Sequence, residues 1–324
     1  MKLHAWFKTL AITAIVAAGS AQAQEVVRLG NLKFAHYGAV SYIKEIAPKC
    51  GIKVEERVFA KGLDVMQGII AGELDVGTTA SEAAISGRAS GAPIFVVAGF
   101  AKGGARLVGR ADLKLKTLAD LKGKKVGVTR GGIQEVLLLA ELQQAGLSFA
   151  DQPGKDVQLI YLAYADLNQA MLGKNIDAMM NSEPQSSQAI NKGYGTEILK
   201  PYNTPIGEPI RTMVMTEKFY KERRPLAEKF MRCFVEATKT FIDNPAVAEK
   251  YVRETVFKGQ ITKDDFDDAI GNSPYSYDIT PEHIQITTDV MFKTGVGRMA
   301  KPPAAKEWVK TDLLDAAKKS LGVK

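Results

Sequence analysis

The chain has 324 residues, 46% of them hydrophobic, and its 43 Lys and Arg against 36 Asp and Glu give a formal net charge of +7. The basic residues are scattered, which argues against nucleic-acid binding, because proteins that track phosphates cluster their cations on one element or face. A chain of this length suits two domains or two lobes.

The first segment, residues 1–23, has the pattern of a secretory signal peptide. Lysines lie before a short apolar run at 10–18, and Ala21 and Ala23 place small residues before a cleavage point. The run is too short to span a membrane, which takes about 20 residues. We therefore expect a mature periplasmic chain that begins at Gln24 and has no cysteine there for a lipid anchor.

Two later segments repeat each other at an offset of 102 residues. DVMQGIIAGELDVGTTASEAA begins at Asp64 and DLNQAMLGKNIDAMMNSEPQS begins at Asp166, so that Asp75 aligns with Asp177. Each segment predicts a short helix, a tight turn and a short strand. Strands and helices alternate around both copies, which predicts an α/β fold of two lobes with largely parallel sheets.

The order of these segments predicts where the chain passes between the lobes. We expect residues 24–110 to form the first part of lobe 1, residues 111–210 to form lobe 2, and residues 211–324 to complete lobe 1 and add C-terminal helices. In such sheets ligands bind beyond the carboxyl ends of the strands. Those ends face each other if the two lobes form a cleft.

One strand end carries a glycine pair directly before a predicted helix at 133–145. Gly131 and Gly132 follow Arg130 in the segment KKVGVTRGGIQEV. The free N–H groups and the dipole of a helix N-terminus attract anions. The pair predicts either a ligand contact or only a tight strand-to-helix turn.

The remaining candidate ligand residues lie at the other predicted strand ends and crossovers. Basic side chains can grip a carboxylate or sulfonate, and aromatic side chains can pack on its apolar body. Hydroxyl and amide groups can donate neutral hydrogen bonds, and acidic groups can face a ligand amine or cap a helix. The candidates are Lys33, His36, Lys102, Arg130 and Arg211; Phe34 and Tyr37; Thr78, Thr79, Ser81 and Asn181; and Glu82 and Glu183.

The common catalytic and metal-binding motifs are absent from this sequence. It contains no His-Glu-x-x-His, no Gly-x-Ser-x-Gly and no phosphate loop. We therefore expect no enzyme, no cofactor and no metal site. Cys50 and Cys233 are the only cysteines; an exported pair can form a disulfide or remain two buried thiols, and both alternatives stay open.

Several segments resemble the nitrate/sulfonate/taurine-type periplasmic solute-binding proteins, a family that also includes binders of thiamine-precursor pyrimidines. DLKGKKVGV at 120–128, GKNIDA at 173–178 and the Glu183–Pro184 pair carry the resemblance most specifically, and it covers nearly all of the mature chain. It implies the type II periplasmic-binding-protein fold, with a ligand cleft between two lobes and two crossover segments. It also implies delivery of a solute to the permease of an ABC importer in the inner membrane.

The ligand is the part of this interpretation that stays open. Members of the family often have a Ser where this chain has Gly132, which here leaves room for a ligand bulkier than nitrate. The basic candidates favour an organic sulfonate or carboxylate, including an aromatic one, captured by hinge closure of a monomer. A pyrimidine or another neutral heterocycle is the alternative ligand, and service to a membrane sensor is the alternative role.

Overall fold

The computed structural model describes residues 24–323, and strands and helices alternate along most of that length. The predicted signal peptide, residues 1–23, lies outside the described residues. The strands are β1 Glu25–Leu32, β2 Ile52–Phe59, β3 Val76–Ala80, β4 Ile94–Lys102, β5 Ala105–Arg110, β6 Lys124–Val128, β7 Phe149–Ala150, β8 Val157–Tyr161, β9 Ala178–Ser182, β10 Gly195–Leu199 and β11 Ile210–Thr216. The helices are α1 Gly38–Ile46, α2 Gly62–Ile70, α3 Ser81–Ala89, α4 Ile133–Gln144, α5 Leu167–Leu172, α6 Gln185–Asn191, α7 Glu217–Glu222, α8 Arg224–Asp243, α9 Pro245–Lys250, α10 Lys263–Asn272, α11 Pro281–Thr294, α12 Ala305–Trp308 and α13 Asp312–Ser320.

The strands form two separate sheets that share one design. The first sheet has the order β2-β1-β3-β11-β4 and the second has the order β10-β5-β9-β6-β8-β7. In each sheet the pairs around the central strands are parallel, and one strand runs against them: β11 in the first sheet and β5 in the second. Each reversed strand arrives from the other sheet, so a crossover accounts for its direction. The sheets are therefore mixed, but apart from its one reversed strand each sheet has all its strands in one direction, in accord with the prediction of largely parallel sheets.

The repeat at an offset of 102 residues corresponds to the same structural unit in the two sheets. Asp75 precedes β3 and accepts a hydrogen bond from the backbone N–H of Arg28 at 3.0 Å through Oδ2. Asp177 precedes β9 and accepts the equivalent bond from the backbone N–H of Lys125 at 2.9 Å. Each aspartate thus joins the start of its own strand to the neighbouring parallel strand. The aspartate therefore occurs in both repeats because it joins two strands, and ligand binding is not required to explain it.

The chain crosses between the sheets twice, and the two connections lie side by side. The first runs from the end of β4 at Lys102 to the start of β5 at Ala105. It therefore precedes the predicted boundary at residue 110, because β5 pairs with β9 and β10 in the second sheet. The second connection leads from β10 through residues 200–209 into β11.

Helices cover both sheets, and the long helix α8 packs against α1 of lobe 1. An apolar stripe on α8 is buried as core, with Leu226, Phe230 and Phe234 at most 1% exposed. Cys233 of this helix forms a disulfide with Cys50, which settles the alternative left open by the sequence. Within residues 24–323 no helix has both the length and the apolar character that a membrane crossing needs.

Candidate functional site

A small enclosed chamber lies between the two lobes, where strands of both sheets end. Lobe 1 contributes the ends of β1 and β3 and the start of α3, and lobe 2 contributes the start of α4 and the loop after β8. The space left between the side chains is about 10 Å³, on the order of what one water molecule needs. The residues that line this inner chamber are Leu32, Phe34, His36, Tyr37, Gly62, Thr79, Ala80, Glu82, Ile133, Gln134, Tyr164 and Arg211.

Arg211 brings a buried positive charge to the inner chamber. It lies at the start of β11, directly after the second crossover, and is 2% exposed. Its Nη2 donates to the carbonyl oxygen of Gly103 in the first crossover at 2.6 Å, while its Nε has no partner within residues 24–323. A guanidinium with a free N–H in such a place is suited to an anionic or carbonyl group.

The first crossover passes close to this guanidinium because it contains Gly104. The residue has a φ of +77°, and a Cβ there would lie 3.0 Å from Arg211 Nη2 and 3.1 Å from His36 Cε1. A side chain at this position would be strained in the backbone and would displace the two chamber residues. The geometry of the chamber and that of the crossover are therefore tied together.

His36 is completely buried beside Arg211, and neither ring nitrogen has a hydrogen-bond partner among the described residues. Burial lowers the pKa of His36 well below its usual value, and the charge of Arg211 lowers it further. The neutral imidazole has one donor and one acceptor to offer. Its ring stacks on Phe34 with a centroid distance of 5.8 Å.

Glu82 brings a carboxyl group to the same chamber from the first turn of α3. It is 4% exposed, and its Oε2 has no hydrogen-bond partner within residues 24–323. Burial raises the pKa of Glu82 to about 7, although the charge of Arg211 and the backbone N–H groups of Glu82, Ile133 and Ala83 oppose the shift. Because Ile133 begins α4, the carboxyl lies close to helix N-termini of both lobes.

Tyr164 closes the lobe 2 side of the chamber. Its hydroxyl donates to Oε1 of Gln134, in the first turn of α4, at 2.6 Å. A Cβ at position 132 would lie 2.1 Å from this hydroxyl oxygen. The space left by the missing Ser side chain at Gly132 is thus filled by Tyr164 and does not enlarge the chamber.

An outer cleft of about 510 Å³ adjoins the inner chamber. Phe34 of lobe 1 and Tyr164 of lobe 2 line both spaces and meet edge to face, with ring centroids 5.4 Å apart. This aromatic pair therefore separates the chamber from the cleft. Lys33 lines the outer cleft, where its Nζ donates to Oε1 of Gln260 at 3.0 Å.

The structure brings some of the sequence-predicted site residues together and leaves others apart. Phe34, His36, Tyr37, Thr79 and Arg211 line the inner chamber. Ser81 is buried beside Glu82, and its Oγ has no partner among the described residues. Gln134 and Tyr164 were missed; Tyr164 follows the carboxyl end of β8, so the strand-end rule applied to that strand would have found it.

Arg130 and the glycine pair Gly131–Gly132 do not line the inner chamber. Arg130 is 56% exposed, pairs with Asp151 at 3.1 Å and covers the ring of Tyr161. The backbone N–H of Gly131 donates to Oε2 of Glu135 at 2.5 Å, so a carboxylate of the chain itself already satisfies it. Arg130 and Gly131 line a separate groove with the Gly295–Arg298 segment.

Four further candidates are engaged in contacts within the protein. Thr78 donates to Oδ1 of Asn31 at 2.6 Å, and Lys102 pairs with Asp278. Asn181 is buried and accepts from the backbone N–H of Ser182 through its own Oδ1 at 2.8 Å. The carboxylate of Glu183 lies 2.8 Å from Nε of Arg106 and also accepts from Asn272 at 2.8 Å and from the Ser187 hydroxyl at 2.6 Å. None of these four side chains lines the inner chamber.

A metal ion would need several His, Cys, Asp or Glu side chains grouped together within residues 24–323. In that part of the chain no group of three or more His, Cys, Asp or Glu side chains is placed to bind one. The polar groups of the chamber are single donors and acceptors set among aromatic rings. Such an arrangement is typical of a site for a small organic molecule.

Comparison with known proteins assigns this architecture to a family. The model of the NMT1-like family matches residues 20–254. A protein of Escherichia coli K12 named as an aliphatic sulfonates-binding protein is 34% identical over 173 residues, which are 53% of this chain and 50% of that protein. This relative is thus matched over about half of its own length. A Brachyspira hyodysenteriae protein named as an ABC transporter periplasmic binding protein is 20% identical over 68% of this chain and 67% of its own length.

Solved structures with the same fold extend over almost the whole described chain. The alkanesulfonate-binding protein SsuA of Xanthomonas axonopodis pv. citri, bound to MOPS, has a TM-score of 0.74 at 17% identity and covers 88% of this chain and 98% of its own. The periplasmic nitrate-binding protein NrtA of Synechocystis PCC 6803 has the same TM-score at 17% identity. It covers 93% of this chain and 90% of its own. These likenesses confirm the predicted type II periplasmic-binding-protein fold.

Proposed function

Because the chain belongs to the NMT1-like family, we propose that it is the periplasmic substrate-binding component of an ABC importer and captures a small organic anion, a sulfonate or a carboxylate. Export through the predicted signal peptide would bring it to the periplasm, where it would deliver the ligand to a permease in the inner membrane. The relatives named as binding proteins support this role, and none of the described relatives is named as an enzyme.

The buried guanidinium of Arg211 is the observation that carries the proposal. A buried charge is expensive unless a partner of opposite charge and good geometry accompanies it. Arg211 has a free Nε–H and shares the chamber with His36, whose imidazole is neutral because its pKa is lowered. An acidic group of the ligand would accept from Arg211 and the imidazole, while the aromatic rings pack on its body.

The size of the chamber supports capture by hinge closure. A space of about 10 Å³ holds no organic acid, so the lobes must move apart before a ligand enters. The crossovers at 102–105 and 200–209 join the lobes on one side, which is the layout that hinge motion requires. Since Arg211 donates to the first crossover from the start of β11, a ligand bound to it would contact the hinge itself.

A neutral heterocycle such as a pyrimidine is the second candidate ligand. Phe34, Tyr37 and Tyr164 offer rings on which a flat heterocycle could pack. Burial also favours the protonated form of Glu82, which could then donate as well as accept. Such a ligand would need only a carbonyl or ring nitrogen for Arg211.

A ligand screen followed by titration tests the proposal. Thermal unfolding of the mature protein with organic sulfonates, aromatic carboxylates, nitrate and pyrimidines identifies compounds that bind only the folded state and raise its Tm. Calorimetric titration of the best compound should then show a ten- to hundredfold weaker Kd for Arg211→Ala, because a charge-assisted hydrogen bond contributes about 1.5–3 kcal/mol.

Arg130→Ala is the matched control, since this arginine is exposed and lies outside the chamber. It should bind like the parent. If Arg211→Ala also binds like the parent, the anion site lies elsewhere. If the loss occurs in Arg130→Ala alone, the glycine turn after β6 is the anion site.

A further inference from the structure

Helix α10 lies between the two lobes and presents a different face to each. Its apolar side chains Phe266 and Ala269, 4% and 0% exposed, share a buried cluster with Phe241 of α8 in lobe 1. Its other side contacts α6 of lobe 2. Apolar burial is lost when a helix leaves its neighbours, whereas water can replace a hydrogen bond near the surface. Helix α10 therefore moves with lobe 1 and is attached to lobe 2 by polar contacts.

These polar contacts form a row along α10, about one for each turn of the helix. From its C-terminal end backwards they are Asn272 with Glu183 at 2.8 Å, Asp268 with Arg106 at 2.7 Å, Asp265 with Asn191 at 3.0 Å and, just before the helix, the carbonyl oxygen of Gln260 with Gln188 at 3.2 Å. In each pair the second residue belongs to lobe 2. The row therefore joins the lobes along the length of the helix.

The C-terminal end of α10 is fixed to the hinge. The carbonyl oxygen of Asn272 accepts from the backbone N–H of Gly104, in the first crossover, at 3.0 Å. Its Oδ1 lies 3.2 Å from the hydroxyl oxygen of Tyr202, in the second crossover, which donates to it. Asp265 lies about 10 Å further along the helix, at 1.5 Å per residue. Rotation about the hinge therefore displaces the lobe 2 partner of Asp265 more than that of Asn272.

Lobe 2 keeps its buried charge paired when it separates from α10. Arg106 is 4% exposed, but two carboxylates beside it belong to lobe 2: Glu183 at 2.8 Å and Glu197 at 3.3 Å. Asp268, the carboxylate that α10 supplies, is 35% exposed and can bind water instead. A buried guanidinium without a partner would be costly. Opening of the lobes avoids that cost.

Asp265 uses its two carboxylate oxygens for different purposes. Its Oδ2 accepts from the backbone N–H of Thr262 at 3.0 Å and caps α10 within lobe 1. Its Oδ1 accepts from Nδ2 of Asn191 in lobe 2. Separation of the lobes therefore breaks the second bond and leaves the cap of the helix intact.

We propose that α10 is a latch that opposes opening of the lobes, and that the bond between Asp265 and Asn191 is its outer contact, formed in the closed protein and broken in the open one. Asn272 stays at the hinge as the pivot. The strength of the outer contact sets the balance between open and closed forms before any ligand binds. The inference rests on the proposed function only in that closure serves ligand capture, and it applies to any ligand of the cleft.

Pulsed EPR between spin labels on Gln169→Cys in lobe 2 and Lys258→Cys in lobe 1 measures the opening. Both positions are exposed, and the native cysteines are joined to each other and take no label. In the ligand-free protein, Asn191→Ala should raise the ratio of long-distance to short-distance populations about three- to tenfold, because one hydrogen bond is lost. Asn191→Asp should raise it at least tenfold, since it also places two carboxylates together.

A reciprocal exchange tests whether the bond itself is the cause. Adding Asp265→Asn to Asn191→Asp swaps donor and acceptor and rebuilds the hydrogen bond, while the amide oxygen at position 265 can still cap the N–H of Thr262. The double variant should return the ratio to within about threefold of the parent. Asn175→Asp is the matched control, because it adds the same charge at an exposed turn of lobe 2. It should match the parent.

The outcomes separate the latch from the proposed function. Equal populations in the parent and Asn191→Asp, or a double variant as open as Asn191→Asp, would overturn the latch. A ligand-free parent without a short-distance population would overturn it as well. Since these distances are measured without ligand, a ligand screen in which nothing binds overturns the proposed function and not the latch.

Discussion

At the scale of single residues, position 132 requires glycine because a side chain would not fit there. The backbone conformation does not impose this requirement. Its φ is −92°, an angle that any residue adopts, but a Cβ there would lie 2.1 Å from the Tyr164 hydroxyl oxygen. We expect Gly132→Ala to lower the free energy of unfolding by about 1–3 kcal/mol, as overpacking does. Chemical denaturation of the ligand-free protein measures this loss.

Tyr164→Phe tests whether contact with the Tyr164 hydroxyl causes this loss of stability. It removes the oxygen atom that the methyl group introduced at position 132 would contact. In that background the cost of Gly132→Ala should fall by more than half, which a double-mutant cycle reports directly. Gly271→Ala is the control, since a Cβ there meets nothing within 4 Å. Equal costs of Gly132→Ala in both backgrounds would contradict the assigned contact.

Glu82 should also make the stability of the closed protein depend on pH. Its pKa is raised from 4.5 to about 7 in the folded state, so the folded protein binds this proton more tightly than the unfolded chain does. Stability is then highest below about 4.5 and falls as the pH rises toward 7, by at most about 3 kcal/mol for one group. If the lobes open, water reaches the Glu82 carboxyl, and the loss of stability with rising pH becomes smaller.

Glu82→Gln removes that titration. Between about pH 4 and pH 8, the free energy of unfolding of the variant should therefore improve relative to the parent. Urea unfolding across this range measures the difference, and Glu73→Gln, at an exposed carboxylate, is the comparison. A constant difference between Glu82→Gln and the parent would show that this carboxyl titrates alike in both states.

At the scale of elements, the two aligned aspartates predict equal roles in the two sheets. Asp75 and Asp177 each accept a backbone N–H of the neighbouring parallel strand. Replacing either by Ala leaves that N–H without its partner and should cost about 1–3 kcal/mol of unfolding free energy. Asp166→Ala, at an exposed helix start without a side-chain cap, should cost little. A large cost at one aspartate only would argue against equivalent roles.

The disulfide links two elements of lobe 1 that are far apart in the chain. Cys50 ends the short helical turn after α1, and Cys233 is buried in α8, at a sequence separation of 183. A cross-link over so long a segment restricts the unfolded chain. Replacing both cysteines by Ser should lower the unfolding free energy by about 2–4 kcal/mol.

Reduction of the parent should give a similar loss, whereas the double Ser variant should not respond to dithiothreitol. Neither cysteine lines the inner chamber, so the Kd for the screened ligand should stay within about twofold. Insensitivity of the parent to the reductant would mean that the two sulfurs are not joined in solution.

At the scale of the whole molecule, the closed chamber predicts a change of shape on binding. In the ligand-free protein, the buried polar groups of Arg211 and Glu82 gain water when the lobes open, whereas a ligand between the lobes satisfies these groups and draws the lobes together around itself. Small-angle scattering should therefore show a smaller radius of gyration with the ligand than without it. Arg211→Ala at the same ligand concentration should contract less, and an unchanged radius in the parent would indicate a preformed closed state.

The sequence was sufficient for features that depend on local patterns. The helix α4 followed from the predicted helical segment at 133–145, and the correspondence of Asp75 with Asp177 followed from the internal repeat. Such signals reside within one element or in the comparison of two segments. The two-lobed α/β fold could therefore be predicted before any contact between elements was known.

The tertiary structure decided which side chains meet. Arg130 and Arg211 look alike as basic residues near predicted strand ends, but one is exposed and pairs with Asp151, while the other is buried in the chamber. The direction of β5 and the pairing of Cys50 with Cys233 likewise depend on contacts between distant parts of the chain. The chamber brings Glu82 and Tyr164 together from different lobes. The periodicity of one element does not indicate which residues of another element its side chains face across a cleft. Only the folded structure could therefore show that these two residues meet.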